Sequence, residues 1–259
     1  MQTVLFHSTV FGPIHSRRLG VSLGINLLPD DGKICSFDCI YCEAGFNAQG
    51  PGTTGFPSMQ RLQADLRAKL SEMKEAGSAL DVITFSGNGE PTLHPQFPQA
   101  VDIVIAVRDE FYPEAKISVL TNSTQIDRPE IAVALRKADN AILKLDSAVT
   151  STMRLIDRPN SPDFTSERVI GYLENFGEKA IVQTMLLRGE CDGHTVDNTT
   201  PEEVDALIDA VSRIKPREVM LYTIDRPTPL KTLSKVSVDD LERVARKLRD
   251  KGFNVATAG

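Results

Sequence analysis

The chain has 259 residues, 41% hydrophobic and 25% charged, with a formal net charge of −6 and a sequence pI near 5.3. This is ordinary globular composition with ample apolar material for one core, and its average charge argues against a broad basic face for gripping nucleic acid, while local pairs such as Arg17-Arg18 could still grip one phosphate or carboxylate. No apolar run approaches the ~18 residues of a membrane span, and residues 1–7 carry no basic segment followed by an apolar core, so neither an anchor nor a secretory signal is expected.

In chain order, the β-branched run at 21–27 predicts a first strand. Residues 33–44 follow as a cysteine-bearing loop, and the Pro/Gly-rich stretch 51–57 is the most loop-like segment of the chain. Met59, Leu62, Leu66, Leu70 and Met73 share one helical face. Further strands are predicted at 81–85, 116–120, 141–145, 180–187 and 218–223, with a weak helix start at Asp127-Arg128-Pro129-Glu130. Thr200-Pro201-Glu202-Glu203 reads as an N-cap, a first-turn Pro and a capping-box Glu. The helix it opens buries Val204, Leu207, Ile208, Val211 and Ile214. A last helix enters at Ser237 and precedes a tail strand near 253–256. Six strand–helix units imply a parallel sheet with right-handed crossovers, and six are too few to close an eight-stranded barrel. One domain over 1–259 is expected, with core strands between about 21 and 223 and the C-terminal helix and tail at 237–259.

Three of the four cysteines fall within eight residues, Cys35-Ser-Phe-Asp-Cys39-Ile-Tyr-Cys42. Thiolates suit iron–sulfur clusters or zinc, and both usually take four protein ligands. Three leave one corner open for chemistry. A structural zinc completed by a distant His or Cys, or three unrelated thiols, are the plainer alternatives. No disulfide framework follows from this spacing, so a reducing, cytoplasmic compartment is expected.

The C-x3-C-x-(aromatic)-C run resembles the cluster loop of the radical S-adenosylmethionine (radical SAM) superfamily. With Gly12-Pro13-Ile14-His15-Ser16-Arg17-Arg18-Leu19-Gly20 and Ser22-Leu23-Gly24-Ile25-Asn26-Leu27 upstream, it resembles the Fe–S oxidoreductases related to the wyosine-forming tRNA enzymes. The resemblance implies an α/β fold, a partial (βα)6 barrel of parallel strands. It implies a 4Fe–4S cluster on Cys35, Cys39 and Cys42, with S-adenosylmethionine on the fourth iron.

Ligands of open α/β sheets sit at strand carboxyl ends. The second predicted strand ends in Ser86-Gly87-Asn88-Gly89-Glu90-Pro91, which fits neither nucleotide-binding glycine pattern. It is similar to the family's Gly-Gly-Glu-Pro segment with Asn88 inserted, which implies contacts to the methionine end from Gly87, Asn88, Gly89 and Glu90. The resemblance likewise implies cofactor contacts at Asn122, Lys144 and Asp146, and places Tyr41 beside the adenine. Lys144 and Asp146 share one side of their strand, and a helix cap or a buried ion pair is the plainer role for each. Backbone at 221–224 is expected to flank the adenine.

The activity implied is reductive cleavage of S-adenosylmethionine to a 5′-deoxyadenosyl radical that abstracts hydrogen from a substrate. A flavodoxin or ferredoxin would supply the electron. Arg17, Arg18, Arg158 and Arg226 are candidate grips for a small anionic substrate, and each has an Asp-paired or surface role as its alternative. Cys191, 149 residues beyond Cys42, is either a hydrogen donor or a bystander thiol. Three other functions remain open. One is a wyosine-type enzyme acting on tRNA, less favoured because the chain lacks cysteines for a second cluster. The others are a glycyl-radical activase and a non-enzymatic Fe–S electron carrier or sensor.

Overall fold

A computed structural model describes residues 4–259. Residues 1–3, the start of the stretch read for a secretory signal, lie outside that description. β1 (Val10–Ser16) and β2 (Gly20–Ile25) form an antiparallel hairpin. The chain continues through α1 (Met59–Glu75), β3 (Val82–Phe85), α2 (Phe97–Phe111), β4 (Lys116–Thr121), α3 (Pro129–Lys137) and β5 (Asn140–Lys144). Two helices, α4 (Thr150–Asp157) and α5 (Ser166–Glu174), make the next crossover to β6 (Ala180–Cys191). Then come β7 (His194–Asp197), α6 (Pro201–Ile214), β8 (Glu218–Thr223), β9 (Ser234–Lys235), α7 (Val238–Arg249) and β10 (Val255–Ala258).

The sheet order is β1-β2-β3-β4-β5-β6-β8-β10, parallel from β2 onward, with β7 and β9 antiparallel on the far half of β6. It curls into a half-barrel, as the family resemblance implies. Alternation along each strand divides the sheet into two faces. Outward, in-register rows such as Ile25–Phe85–Val119–Ala141 pack under the helices. Inward, Ile142, Ile181 and Met220 form a separate small core with Leu120. Leu19, from the β1–β2 turn, packs into it and plugs the floor of the lumen.

The five apolar residues assigned to α1 and the five assigned to α6 are all buried. Other details differ from expectation. β1 is largely exposed along its length, so it lacks the apolar alternation that announces a strand. The first strand stops at Ile25, because Asn26 leaves the ladder to donate its N–H to Thr9 O (2.8 Å). The tail strand begins at Val255, since Phe253 N–H still bonds Leu248 O and completes the end of α7. Thr200 caps α6 as expected, accepting from Glu203 N. Glu203 does not reach back to close a capping box; it accepts instead from Ser147 Oγ (2.6 Å). Thr200→Ala is expected to cost about 1 kcal/mol, read as a lower urea midpoint with an unchanged m value.

Candidate functional site

The cysteines lie on the long connection after β2, which has a single 3-10 turn, Asn47–Gln49, before α1. Such a backbone must find its hydrogen bonds elsewhere. Ile34 N donates to Asn88 O (3.0 Å) and Glu90 N donates to Ile34 O (3.1 Å), so the loop is zipped to the turn after β3. Ile40 N donates to Ile156 O (2.9 Å) and Asp38 N to Asp157 O (3.0 Å), tying its middle to the end of α4. Asn47 Nδ2 bridges Cys35 O (3.2 Å) and Phe37 O (3.1 Å). The buried Lys33 ammonium donates to Gly45 O (2.8 Å). Gly89 has φ +130°, and a Cβ there would lie 1.9 Å from Ile34 O. Only glycine permits this approach.

Asn122 Nδ2 donates to Cys35 Sγ (3.6 Å), and Cys39 Sγ donates to Asp157 Oδ1 (3.5 Å). Burial pushes the Cys35 thiol up to about 12, with the Glu90 charge adding to it. Burial also raises Cys39 well above the ordinary thiol range. A thiolate at either position therefore needs a cationic partner. Among the described residues, no three His, Cys, Asp or Glu side chains converge on a single-ion site.

Cys39 and Cys42 line a cavity of about 300 Å³ at the carboxyl ends of the strands. Tyr41, Gly87, Gly89 and Lys144 share its wall. The other proposed contacts stand behind that wall as supports. Asn88 is fully buried, donating to Phe6 O (2.9 Å) and Pro29 O (2.8 Å) and accepting from Phe6 N (2.9 Å). Asn122 Oδ1 accepts from Thr124 N (3.1 Å). Glu90, 2% exposed, accepts from Thr92 N (3.1 Å), Thr121 Oγ1 (2.7 Å) and Asn122 N (2.7 Å). Its pKa is nevertheless raised, because desolvation outweighs these bonds. Asp146 accepts from Tyr41 Oη and pairs with Lys144 Nζ (2.6 Å), which also meets Asp157 Oδ1 (3.3 Å). The ion-pair alternative for Lys144 and Asp146 is thus realised. Burial opposes the Lys144 charge, but the two carboxylates outweigh it and raise its pKa. Burial pushes Asp157 up.

Sequence reading passed over Asp157, because only the chain's folding brings α4 beside Lys144. It also passed over Gln183, which lines the cavity, and it gave 221–224 a backbone role, whereas the Tyr222 ring carries the Arg18 guanidinium. Gln183 had a legible signal, a polar residue at an inward position of an otherwise apolar strand. The arginines separate cleanly. Arg17 meets Asp225 (3.5 Å), Arg226 pairs with Glu43 at the cavity rim (2.6 Å), and Arg158 pairs with Asp192. Arg158 Nη2 also donates to the buried Cys191 Sγ (2.9 Å), and neither residue lines the cavity. Arg18 does line it, with its guanidinium 4.5 Å from the Tyr222 ring centroid.

Glu90→Gln should leave one of the donors from Thr92, Thr121 or Asn122 facing an amide N–H. The expected loss is about 1–3 kcal/mol, measured by urea unfolding; unchanged stability would mean these bonds are not made.

The profile of the radical SAM superfamily matches residues 31–199. A protein named GTPase Obg from Brachyspira hyodysenteriae is 30% identical over 92% of this chain, but the match spans only 33% of that relative. This chain contains no G-x-x-x-x-G-K-[ST] loop. A UPF0026 protein of Synechocystis sp. is 31% identical, with 85% of this chain matching 77% of it. Among solved structures, a radical SAM methyltransferase from Sphaerobacter thermophilus superposes with a TM-score of 0.67 at 18% identity, over 92% of this chain and 65% of that one. TYW1 with a lysine-pyruvate adduct bound gives 0.59 at 16% identity, over 88% and 73%. SuiB of Streptococcus suis bound to S-adenosylmethionine gives 0.64 at 16%, over 90% and 50%. At these identities the likeness is one of fold. Among the described residues no helix is long and apolar enough to cross a membrane.

Proposed function

Because this chain belongs to the radical SAM superfamily and to the UPF0026 proteins, we propose that it is a radical SAM enzyme. Its ligands would be a 4Fe–4S cluster on Cys35, Cys39 and Cys42 and S-adenosylmethionine on the remaining iron. The observation that carries this reading is the placement of Cys39 and Cys42 in the wall of a cavity at the strand carboxyl ends, a wall they share with Gly87, Gly89 and Tyr41. The residues fit these groups. A cluster takes each cysteine on a different iron and leaves its fourth iron free for another ligand, whereas a structural zinc wants four protein ligands, and this loop supplies three cysteines. Iron also supplies the positive charge that buried thiolates require.

Bound together, the two groups supply reductive cleavage of the sulfonium to methionine and a 5′-deoxyadenosyl radical, which takes hydrogen from a substrate. The protein's own work is positional. Gly87 and Gly89 let backbone approach a ligand closely, while Glu90 fixes the turn that carries them by anchoring it to Thr121 and Asn122. Asn122 donates to Cys35 Sγ, a bond that favours charge on that sulfur. Lys144 and Asp146 hold the Tyr41 hydroxyl, which sets the ring's orientation at the wall. Val4 and Phe6, the latter pinned by Asn88, line one side of the cavity. An external one-electron donor of flavodoxin or ferredoxin type would serve the cluster, and the four free thiols suit a reducing cytoplasm. An electron carrier would need no such cavity beside its cluster.

Anaerobically reconstituted protein is expected to hold about four irons per chain, lost in the Cys35→Ala/Cys39→Ala/Cys42→Ala variant. Reduction with S-adenosylmethionine should yield 5′-deoxyadenosine. Stoichiometric zinc, or about eight irons, would overturn the assignment. Cys191→Ala should keep the full iron content, since that thiol is held by Arg158 away from the cavity; a fall of about a quarter would make it a ligand instead.

A further inference from the structure

Beside the cavity that holds Cys39 and Cys42 lies a second one of about 330 Å³, between the β1–β2 hairpin and the inner faces of β2 and β3. Arg18, Ser86, Gly87 and Leu120 line both, so the two are lobes of one lumen. Its floor is closed by the apolar plug at Leu19, Ile142, Ile181 and Met220.

Among the described residues only three buried side-chain nitrogen or oxygen atoms lack a hydrogen-bond partner, and two of them, Arg18 Nη1 and Gln183 Nε2, belong to this lumen. Gln183 is 8% exposed. A buried donor left unpaired costs about 1–3 kcal/mol, and folded proteins rarely tolerate one without a reason. Both are donors, so the missing partner is an acceptor. The charges agree. Arg17 answers Asp225, Arg226 answers Glu43, and Lys144 answers Asp146 and Asp157. Among the described residues, Arg18 is left with no carboxylate within ion-pairing distance. Its guanidinium lies over the Tyr222 ring, which fixes its plane and leaves its fork of N–H groups available for a planar or tetrahedral oxyanion.

We propose that Arg18 and Gln183 form an oxyanion subsite inside the lumen, built for the carboxylate or phosphate of a small molecule. That this molecule is the substrate rests on the radical SAM reading; the subsite itself does not. Both residues sit on regular or tightly turned backbone, Gln183 within β6 and Arg18 in the turn before β2, so the site is preformed.

The test is calorimetric titration of reconstituted protein with succinate, glycerol 3-phosphate and, as a neutral isostere, succinamide, with iron content and S-adenosylmethionine affinity measured on the same preparation. Wild type should bind at least one anion saturably and bind succinamide not at all; which anion binds distinguishes carboxylate from phosphate. Arg18→Gln, which keeps the stem and removes the charge, should weaken the anion by about tenfold or more while leaving iron and S-adenosylmethionine affinity unchanged. Gln183→Leu should weaken it by a smaller factor and guards against a folding defect in the first variant. The subsite is overturned by anion affinity unchanged in Arg18→Gln, by wild type that binds neither anion, or by a parallel loss of S-adenosylmethionine affinity, which would put Arg18 in the cofactor's own site. Anion binding that depends on Arg18 in a preparation lacking four irons would keep the subsite and reject the radical SAM reading.

Discussion

Everything at the mouth of this half-barrel depends on how an irregular loop satisfies its own backbone. A stretch that carries three cysteines on irregular backbone has no strand or helix ladder to join, and each unmet N–H or C=O would cost as much as a lost hydrogen bond. The chain solves this by borrowing. Ile34 pairs with the turn after β3, Asp38 and Ile40 pair with the end of α4, and Asn47 spans two carbonyls of the loop itself. The sulfurs are therefore held in part by an element more than a hundred residues further along the chain, as Ile40 is by Ile156, and their positions inherit the rigidity of the sheet.

The same economy explains the buried charges. Glu90 is enclosed and its ionised form is penalised by desolvation, yet its two oxygens join the β3 turn to the end of β4. Lys144 does the corresponding work one strand further on, linking Tyr41 of the loop to Asp146 and Asp157. Buried ion pairs add little net stability, and removing one partner is far more costly than lacking the pair. What these residues contribute is registration of the loop against three successive strand ends. Their neighbours Gly87 and Gly89 line the cavity directly, so support and surface alternate along one short turn.

Much of this was legible in the sequence, for physical reasons that differ by element. The apolar spacing of Met59 to Met73 and of Val204 to Ile214 forces a helical face, and both helices bury those residues. The cysteine spacing is legible because three soft ligands in eight residues have few other uses. β1 was not legible, since an exposed strand on the sheet's edge carries no periodic pattern. Glu203 looked like a capping-box residue because the local spacing was right; a tertiary partner, Ser147, outcompeted the local one. Sequence proximity to a strand end also could not separate Lys144, which faces the cavity, from Asp146, which stands behind it, although alternation puts both on one side.

Satisfaction of hydrogen bonds is the distinction that sequence cannot draw and the fold can. Gln183 and Asn198 are both buried amides at β6, the first within the strand and the second bonded to its backbone. Asn198 uses every polar atom, donating to Asp146 O and Met185 O and accepting from Leu187 N, so it is part of the frame. Gln183 leaves its Nε2 without a partner. The same contrast separates Arg18 from Arg17, Arg158 and Arg226, which all meet carboxylates. An arginine fork satisfied by the protein has little left to offer a ligand, whereas one braced on Tyr222 with an idle N–H has already met the cost of ordering. Frame and binding surface therefore differ here less in residue type than in which donors the protein leaves unanswered.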